Sequence, residues 1–292
     1  MRSLIIVLLI LFNVFISCNK KEKLISEKIY VDEIGNKIEL TKNPEKIIST
    51  APNLTEIIFA IDAGNLLVGR TRFCNYPNEV NKVQVIGDML NLNFEKIVEL
   101  KPDLIFMTVE GNTKELYDKL KGLGFQVYVT NPRNLNDIIT AIKNLGIILN
   151  RERKADSLVS SIKDNLTKIA SKNFQRQRAM FVVSISPLII AGKNTFINEI
   201  MEKVNLENIS PKNSISSYPM ISREEVLIKN PDVIIIPSSK YKSKEILRIY
   251  PEWKNLSAVK NRKIMFVDPD LFLRPGPRFI DAIKFLGQEL SK

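Results

Sequence analysis

The sequence contains no histidine. The commonest general base and the commonest ligand of bare transition metals are therefore both missing, which sets aside imidazole-based binders of zinc or manganese and most nucleophile–base enzymes. Glycine is sparse, with 11 residues, and none forms a glycine-rich fingerprint after a strand, so no phosphate cradle is indicated. The one tryptophan, Trp253 in "YPEWKNLSAVKNRKI", reads as packing. Only two cysteines occur, Cys18 and Cys74. With Cys18 at the end of a leader-like segment, no intrachain disulfide is expected, and Cys74 reads as a buried, inert thiol. Acidic residues are outnumbered 32 to 43 by Lys and Arg, but the resulting +11 is spread along the chain without a dense block. That pattern fits a lysine-solvated surface and no nucleic-acid partner. Nor is there an apolar run of the roughly 20 residues that a spanning helix needs.

The first residues, "MRSLIIVLLILFNVFISC", carry one arginine, then an apolar run from Leu4 to Ile16, and end at Cys18 before the polar "NKKEK". Residues 1–17 read as an export signal and 18–27 as a polar tether. The segment resembles a bacterial lipoprotein signal, which implies lipidation of Cys18 as the mature N-terminus, with Phe15 standing where leucine is usual.

Beyond the tether, "KIYVDEIGNKIEL" alternates apolar and polar residues around Gly35-Asn36, a hairpin signature. Short apolar runs ("KIISTA", "LLVGRT", "DLIFMT", "QVYVTN") then alternate with amphipathic stretches, the pattern of βα units and a parallel sheet. Residues 135–172 keep helical spacing, broken near Gly146 and Asn150. From about Arg178 the alternation resumes. The fold class expected is α/β in two lobes, 28–150 and 173–292, joined by a helix over 151–172.

One stretch is written twice. "NFEKIVELKPDLIF" (Asn93–Phe106) returns as "SREEVLIKNPDVII" (Ser222–Ile235), and Glu95 and Glu224, Pro102 and Pro231, Asp103 and Asp232 all share an offset of 129. Asn93 and Ser222 are good N-caps, and the residue before each proline is pushed out of the helical region. Each copy is a helix–turn–strand unit, its strand expected at Leu104–Thr108 and Val233–Pro237. A glutamate in each first turn suits the helix dipole by itself.

These segments, with "PEKIISTAPNLTEIIFAIDAGNLLVGRT", "NYP" and the terminal "RPGPRFIDAIKFLGQEL", resemble the substrate-binding proteins of ABC importers for cobalamin, haem and ferric siderophores. The resemblance implies two Rossmann-like lobes with parallel sheets, bridged by one long helix with the ligand in the cleft between them. It implies no catalysis and no cofactor. It also implies that Glu95 and Glu224 dock to arginines of the permease, and that a monomer anchored to the membrane faces the periplasm or cell exterior.

The same resemblance places cleft aromatics at Phe73, Tyr218 and Phe272, with Met89 where a tryptophan can stand. Arg70 and Arg72 follow the strand "LLVG", and Arg274 and Arg278 sit in "LRPGPR", loop positions at strand carboxyl ends. Arg72 and Arg274 are read as ligand contacts, because guanidinium forks suit carboxylates and catecholates. The expected metal-chelate ligand is a ferric siderophore or haem, then cobalamin, with Tyr76, Tyr218 or Met89 as axial candidates for haem. A surface adhesin or scaffold without ligand transport is the alternative.

Overall fold

The computed structural model describes residues 28–211 and 214–291. The export signal, the tether and Cys18 lie outside the described residues. A hairpin opens the chain: β1 (Lys28–Val31) pairs antiparallel with β2 (Lys37–Leu40) around a turn in which Asp32 accepts from the Asn36 N–H and Gly35 takes a positive φ. Then follow β3 (Ile47–Ser49), α1 (Pro52–Ala60), β4 (Leu67–Arg70), β5 (Gln84–Val85), α2 (Phe94–Leu100), β6 (Leu104–Thr108), α3 (Lys114–Gly122), β7 (Val127–Thr130), α4 (Leu135–Ile148) and α5 (Glu152–Ala170). The second half holds β8 (Gln177–Ser184), β9 (Ile189–Ile190), α6 (Phe196–Glu202), β10 (Leu206–Asn208), α7 (Arg223–Lys229), β11 (Val233–Pro237), α8 (Ser243–Ile249), α9 (Ser257–Lys260), β12 (Ile264–Val267), α10 (Pro269–Phe272) and α11 (Phe279–Leu290).

The strands form one parallel sheet in each lobe. The first runs β5-β4-β3-β6-β7; the second runs β10-β8-β11-β12, with β9 antiparallel to β8. In both, the order reverses at the centre, between β3 and β6 and between β8 and β11. Open α/β sheets bind ligands at such reversals, beyond the strands' carboxyl ends.

Residues alternate between the two faces of each strand, so every sheet feeds two layers. In the second lobe, Met180, Val182, Ile234 and Ile236 pack outward against Trp253, while Ala179, Phe181, Val233 and Ile235 pack inward. The inner layer is shared: one apolar cluster contains Leu54 and Phe106 of the first lobe, Val159 and Ile162 of α5, and Phe181 and Phe279 of the second. Trp253 is buried and stacked on Tyr250 at 4.4 Å, as its reading as packing requires.

Helix α5 spans 19 residues, about 28 Å, slightly shorter than expected because its ends fall at Glu152 and Ala170. The break before it is made by Asn150, which turns to φ +55°. Gly146 makes no break. It stays inside α4, where a Cβ would come within 2.5 Å of the Ala155 Cβ on α5, so it is the point where the two helices touch.

The repeated stretch is a repeated clasp. Asn93 and Ser222 cap α2 and α7 by accepting from the N–H groups of Lys96 and Glu225. Both helices stop at the residue before proline, but Lys101 and Asn230 turn left-handed instead of extended, because that cap lets their N–H groups close on the last helical turn. The aspartates then bind the neighbouring strand. Asp103 Oδ2 accepts from Lys46 N at 2.9 Å and from Glu45 N at 2.8 Å, and Asp232 Oδ2 accepts from Arg178 N at 2.9 Å. Their own N–H groups bond Lys46 O and Arg178 O, each at 2.8 Å. Pro-Asp is written twice because the chain twice has to lock a helix exit onto the sheet.

Partial burial pushes both carboxyls up, but the backbone donors, with Lys42 beside Asp103 and Arg178 beside Asp232, outweigh it and hold both below the usual range. A depressed folded value means stability that is present above about pH 4 and lost as pH falls through that lowered value. Asp103→Ala and Asp232→Ala should each cost about 1–3 kcal/mol in urea unfolding at pH 7, from the backbone donors left without an acceptor. The gap to the unsubstituted protein should narrow at pH 3; a gap unchanged with pH would show that the carboxylate charge is not what the clasp uses.

Candidate ligand cleft

The carboxyl ends of the first sheet are closed at their centre by Asn112. Its Oδ1 accepts from the Thr50 hydroxyl at 2.7 Å and from Thr108 N at 3.0 Å, and its amide donates to Met89 O at 2.8 Å. Gly111, at φ +113°, lies against the Met89 methyl group, where a Cβ would stand 2.1 Å away. Met89 is thus packed into the floor. The matching reversal in the second sheet opens into a cavity of about 240 Å³ lined by Ser184, Ser186, Pro237, Ser238 and Tyr241.

Around these two points the loops present apolar side chains to solvent. Phe73, Leu90 and Val109 follow β4, β5 and β6, and Tyr241 and Leu273 follow β11 and β12. Met220, beyond β10, is the most exposed of this set at 72%. Such a concentration of exposed apolar groups at one end of both sheets marks a binding cleft.

Two polar groups meet across it. Tyr218, from the segment after β10, stands beside Glu110, from the loop after β6, close enough for the two side chains to interact. Burial pushes the Glu110 carboxyl above its usual range, although Arg133 and the Tyr218 hydroxyl pull the other way. Burial and the Glu110 charge both raise Tyr218, so its phenol keeps its proton. That is the opposite of what tyrosinate ligation of haem iron requires. Tyr76 lies elsewhere, under the Arg278 guanidinium at 4.2 Å, and lines a larger cavity of about 570 Å³ against Leu158 and Ile162 of α5. That cavity is bigger, but it is walled mainly by helices α1, α5 and α11, with Tyr76, Pro77 and Pro277 from loops. The strand carboxyl ends and their exposed apolar loops lie in the cleft.

The site residues read from sequence separate accordingly. Phe73 is 47% exposed and Tyr218 half-buried, both on cleft loops. Phe272 is corrected: it is fully buried, packed on Phe181 and Phe285, because α10 turns it under the sheet and away from the loop surface. Arg274 is also corrected. Its guanidinium is consumed within the protein by Glu56, Asp270, Asn75 and the Phe73 carbonyl, leaving no fork for an anion. Arg70 is buried and binds the carbonyls of Val80, Thr71 and Cys74, so it shapes the loop that carries Phe73. Arg278 binds Glu56 through both Nε and Nη2. Arg72 is exposed but paired with Asp88 at 2.8 Å, and the N–H groups of Leu90 and Asn91 hold Asp88 below the usual carboxylate range. Cys74 is buried, between the hydroxyls of Thr55 and Thr71.

Glu95 and Glu224 both stand exposed in the first turns of α2 and α7. Neither carboxylate is engaged by another side chain among the described residues. Val98 and Leu227, one turn further on, are also exposed and share the offset of 129.

Glu56 escaped the sequence reading. It is the only charged residue of α1, whose neighbours Leu54, Ile57 and Ile58 are core, and a lone acid in an otherwise apolar helix demands a partner. That demand was visible; the partner, over 200 residues away, was not.

Two lobes with a cleft at the carboxyl ends of both sheets define a two-lobed ligand-binding protein. The sequence profile described as Periplasmic binding protein matches residues 47–271, and the chain belongs to that family. It is 31% identical over 272 residues to an ABC transporter substrate-binding lipoprotein of Bacillus subtilis (strain 168), covering 90% of this chain and 85% of that one. A protein of Staphylococcus epidermidis ATCC 12228, named a possible iron-binding (periplasmic solute-binding) protein, superposes with a TM-score of 0.76 at 31% identity, covering 86% of this chain and 100% of that one. The periplasmic vitamin B12 binding protein of Vibrio cholerae superposes with a TM-score of 0.73 at 30% identity, covering 85% of this chain and 97% of the other. The family is one of binding proteins.

Phe272→Ala should therefore destabilise the fold by about 3–5 kcal/mol. Phe73→Ala should leave stability within about 0.5 kcal/mol and act on binding alone. Chemical denaturation of the two variants checks the assignment; a Phe272→Ala protein as stable as its parent would return that ring to the cleft.

Proposed function

We propose that this protein is an extracytoplasmic receptor that captures a metal chelate between its lobes and delivers it to an ABC importer, tethered to the membrane by a lipid on Cys18 and acting as a monomer. The observation that carries this reading is the pair of exposed carboxylates at equivalent positions of two equivalent helices, neither engaged by another side chain among the described residues. Glu95 and Glu224 are the handles for the permease. An adhesin or scaffold gives the matched pair no role.

The ligand ordering drawn from sequence changes. Haem and acidic siderophores ranked first on the strength of Arg72 and Arg274; Arg274 is now committed to carboxylates of the protein, and Arg72 keeps an exposed pair with Asp88 while lying over the Phe73 ring at 5.2 Å. What the cleft offers instead is apolar surface from Phe73, Leu90, Val109 and Met220, with the Glu110–Tyr218 pair for hydrogen bonding. An uncharged macrocycle fringed with amides suits that lining, because its N–H groups can meet Glu110 where an anion would be repelled. The vitamin B12-binding relatives support a corrinoid first and haem or a ferric siderophore second.

Thermal-shift titration with cyanocobalamin, haemin and a ferric siderophore tests the order, since a ligand at 100 times its Kd stabilises by about 2.7 kcal/mol. Cyanocobalamin should shift the transition; a shift with haemin alone overturns the ranking. Glu95→Ala with Glu224→Ala should leave that shift intact and abolish stimulation of the importer's ATPase, and undiminished stimulation would remove the docking assignment.

A further inference from the structure

The densest polar network among the described residues joins the two lobes. Glu56, on α1 of the first lobe, is only 2% exposed at its side chain and accepts from two arginines of the second. Arg274 Nη1 reaches Glu56 Oε1 at 3.0 Å; Arg278 grips both oxygens, Nη2 on Oε1 at 2.6 Å and Nε on Oε2 at 2.9 Å. Arg274 also binds Asp270 at 2.6 Å, and Asp270 accepts from the Asn75 amide at 2.7 Å. Two carboxylates and two guanidiniums cancel in charge, the condition under which buried ions are tolerated.

The geometry of the backbone reinforces the junction. Pro275, Gly276 and Pro277 are buried, and a Cβ on Gly276 would come to 3.4 Å from both Asn53 Cα and Glu56 Oε2, so this segment is seated directly on α1. From there Arg274 extends to the opposite loop, its Nη1 on Asn75 Oδ1 at 2.8 Å and its Nη2 on the Phe73 carbonyl at 3.1 Å. Phe73 is the exposed aromatic of the first lobe's cleft wall. Its backbone is therefore held from the other lobe.

We infer that Glu56 is a positioning residue for the cleft: through Arg278 it fixes the spacing of the lobes, and through Arg274 it holds the Phe73 loop in its binding position. The inference rests on the cleft being the ligand site. It gives Arg274 a part in recognition without contact, and makes ligand affinity depend on a charge cluster outside the binding surface.

The test separates this from mere structural support. Arg274→Lys keeps the charge near Glu56 and Asp270 but cannot span Asn75 and the Phe73 carbonyl with one planar fork. Glu56→Gln leaves two buried guanidiniums with half their acceptor, and if it fails to fold, Asn75→Ala loosens the same loop without stranding a charge. Hydrogen exchange on the free proteins should show amides of residues 71–77 opening at least about tenfold more readily in Arg274→Lys and Asn75→Ala, the loss expected for a charge-assisted hydrogen bond. Cyanocobalamin should bind those folded variants about tenfold more weakly, while Arg176→Ala, which removes a surface pair with Glu207 outside the network, leaves exchange in that loop unchanged. Unchanged exchange in Arg274→Lys would overturn the inference, and so would faster exchange with full affinity. If the parent protein binds no chelate at all, the proposed function fails, and the exchange data still decide whether Arg274 holds the loop.

Discussion

The two lobes share one apolar core, and every other feature of the molecule is arranged around that continuity. Val159 and Ile162 of α5 lie in the same cluster as Leu54 of the first lobe and Phe279 of the second, so separating the lobes would expose core on both. At about 25 cal/mol per Å² of apolar surface, even a modest opening is costly. Close packing makes the contact still less forgiving, since Gly146 and Ala155 leave no room for a methyl group between α4 and α5. Polar bonds follow the same seam: Glu199 of α6 accepts from Leu135 N at the start of α4 at 2.8 Å, a carboxylate at a helix N-terminus donated by the other lobe. Lobes joined in this way can adjust by small shear but lack the few free loop residues on which a wide hinge turns.

That constraint moves adaptability into the loops at the strand ends. The sheets deliver their carboxyl ends to a common face, and what varies there is side-chain chemistry: an apolar rim, a hydroxyl-lined cavity beside Ser184 and Ser238, and the Glu110–Tyr218 pair bridging the gap. Asn112 shows how tightly the floor is specified, since one side chain satisfies Thr50, Thr108 and Met89 together. A chelate entering such a site meets a surface already in place and pays little to order it.

Much of this was legible in the sequence, for reasons that differ by element. Periodicity located the strands Leu104–Thr108 and Val233–Pro237 to the residue, because a Pro-Asp exit on one side and an apolar run on the other leave little choice. The hairpin around Gly35 was equally plain. What pattern could not reveal was direction. Phe272 and Phe73 are both aromatics near strand ends, and only the short helix α10 decides that one points into the core. Arginines were misread for a related reason: a guanidinium beside a cleft reads as a ligand contact until its carboxylate is found, and Glu56 lies 218 residues from Arg274. Long-range charge pairing leaves no local trace.

The repeated clasp carries a consequence for orientation. Glu95 and Glu224 are interchangeable under the 129-residue offset, but their neighbours are not: Lys96 is answered by Glu225, and Glu99 by Ile228. One helix thus offers an acid followed by a base, the other a base, two adjacent acids and then an exposed isoleucine. A surface that contacted only the two glutamates could not tell one helix from the other, whereas one that also contacted residues 99 and 228 could, provided its own two halves differ.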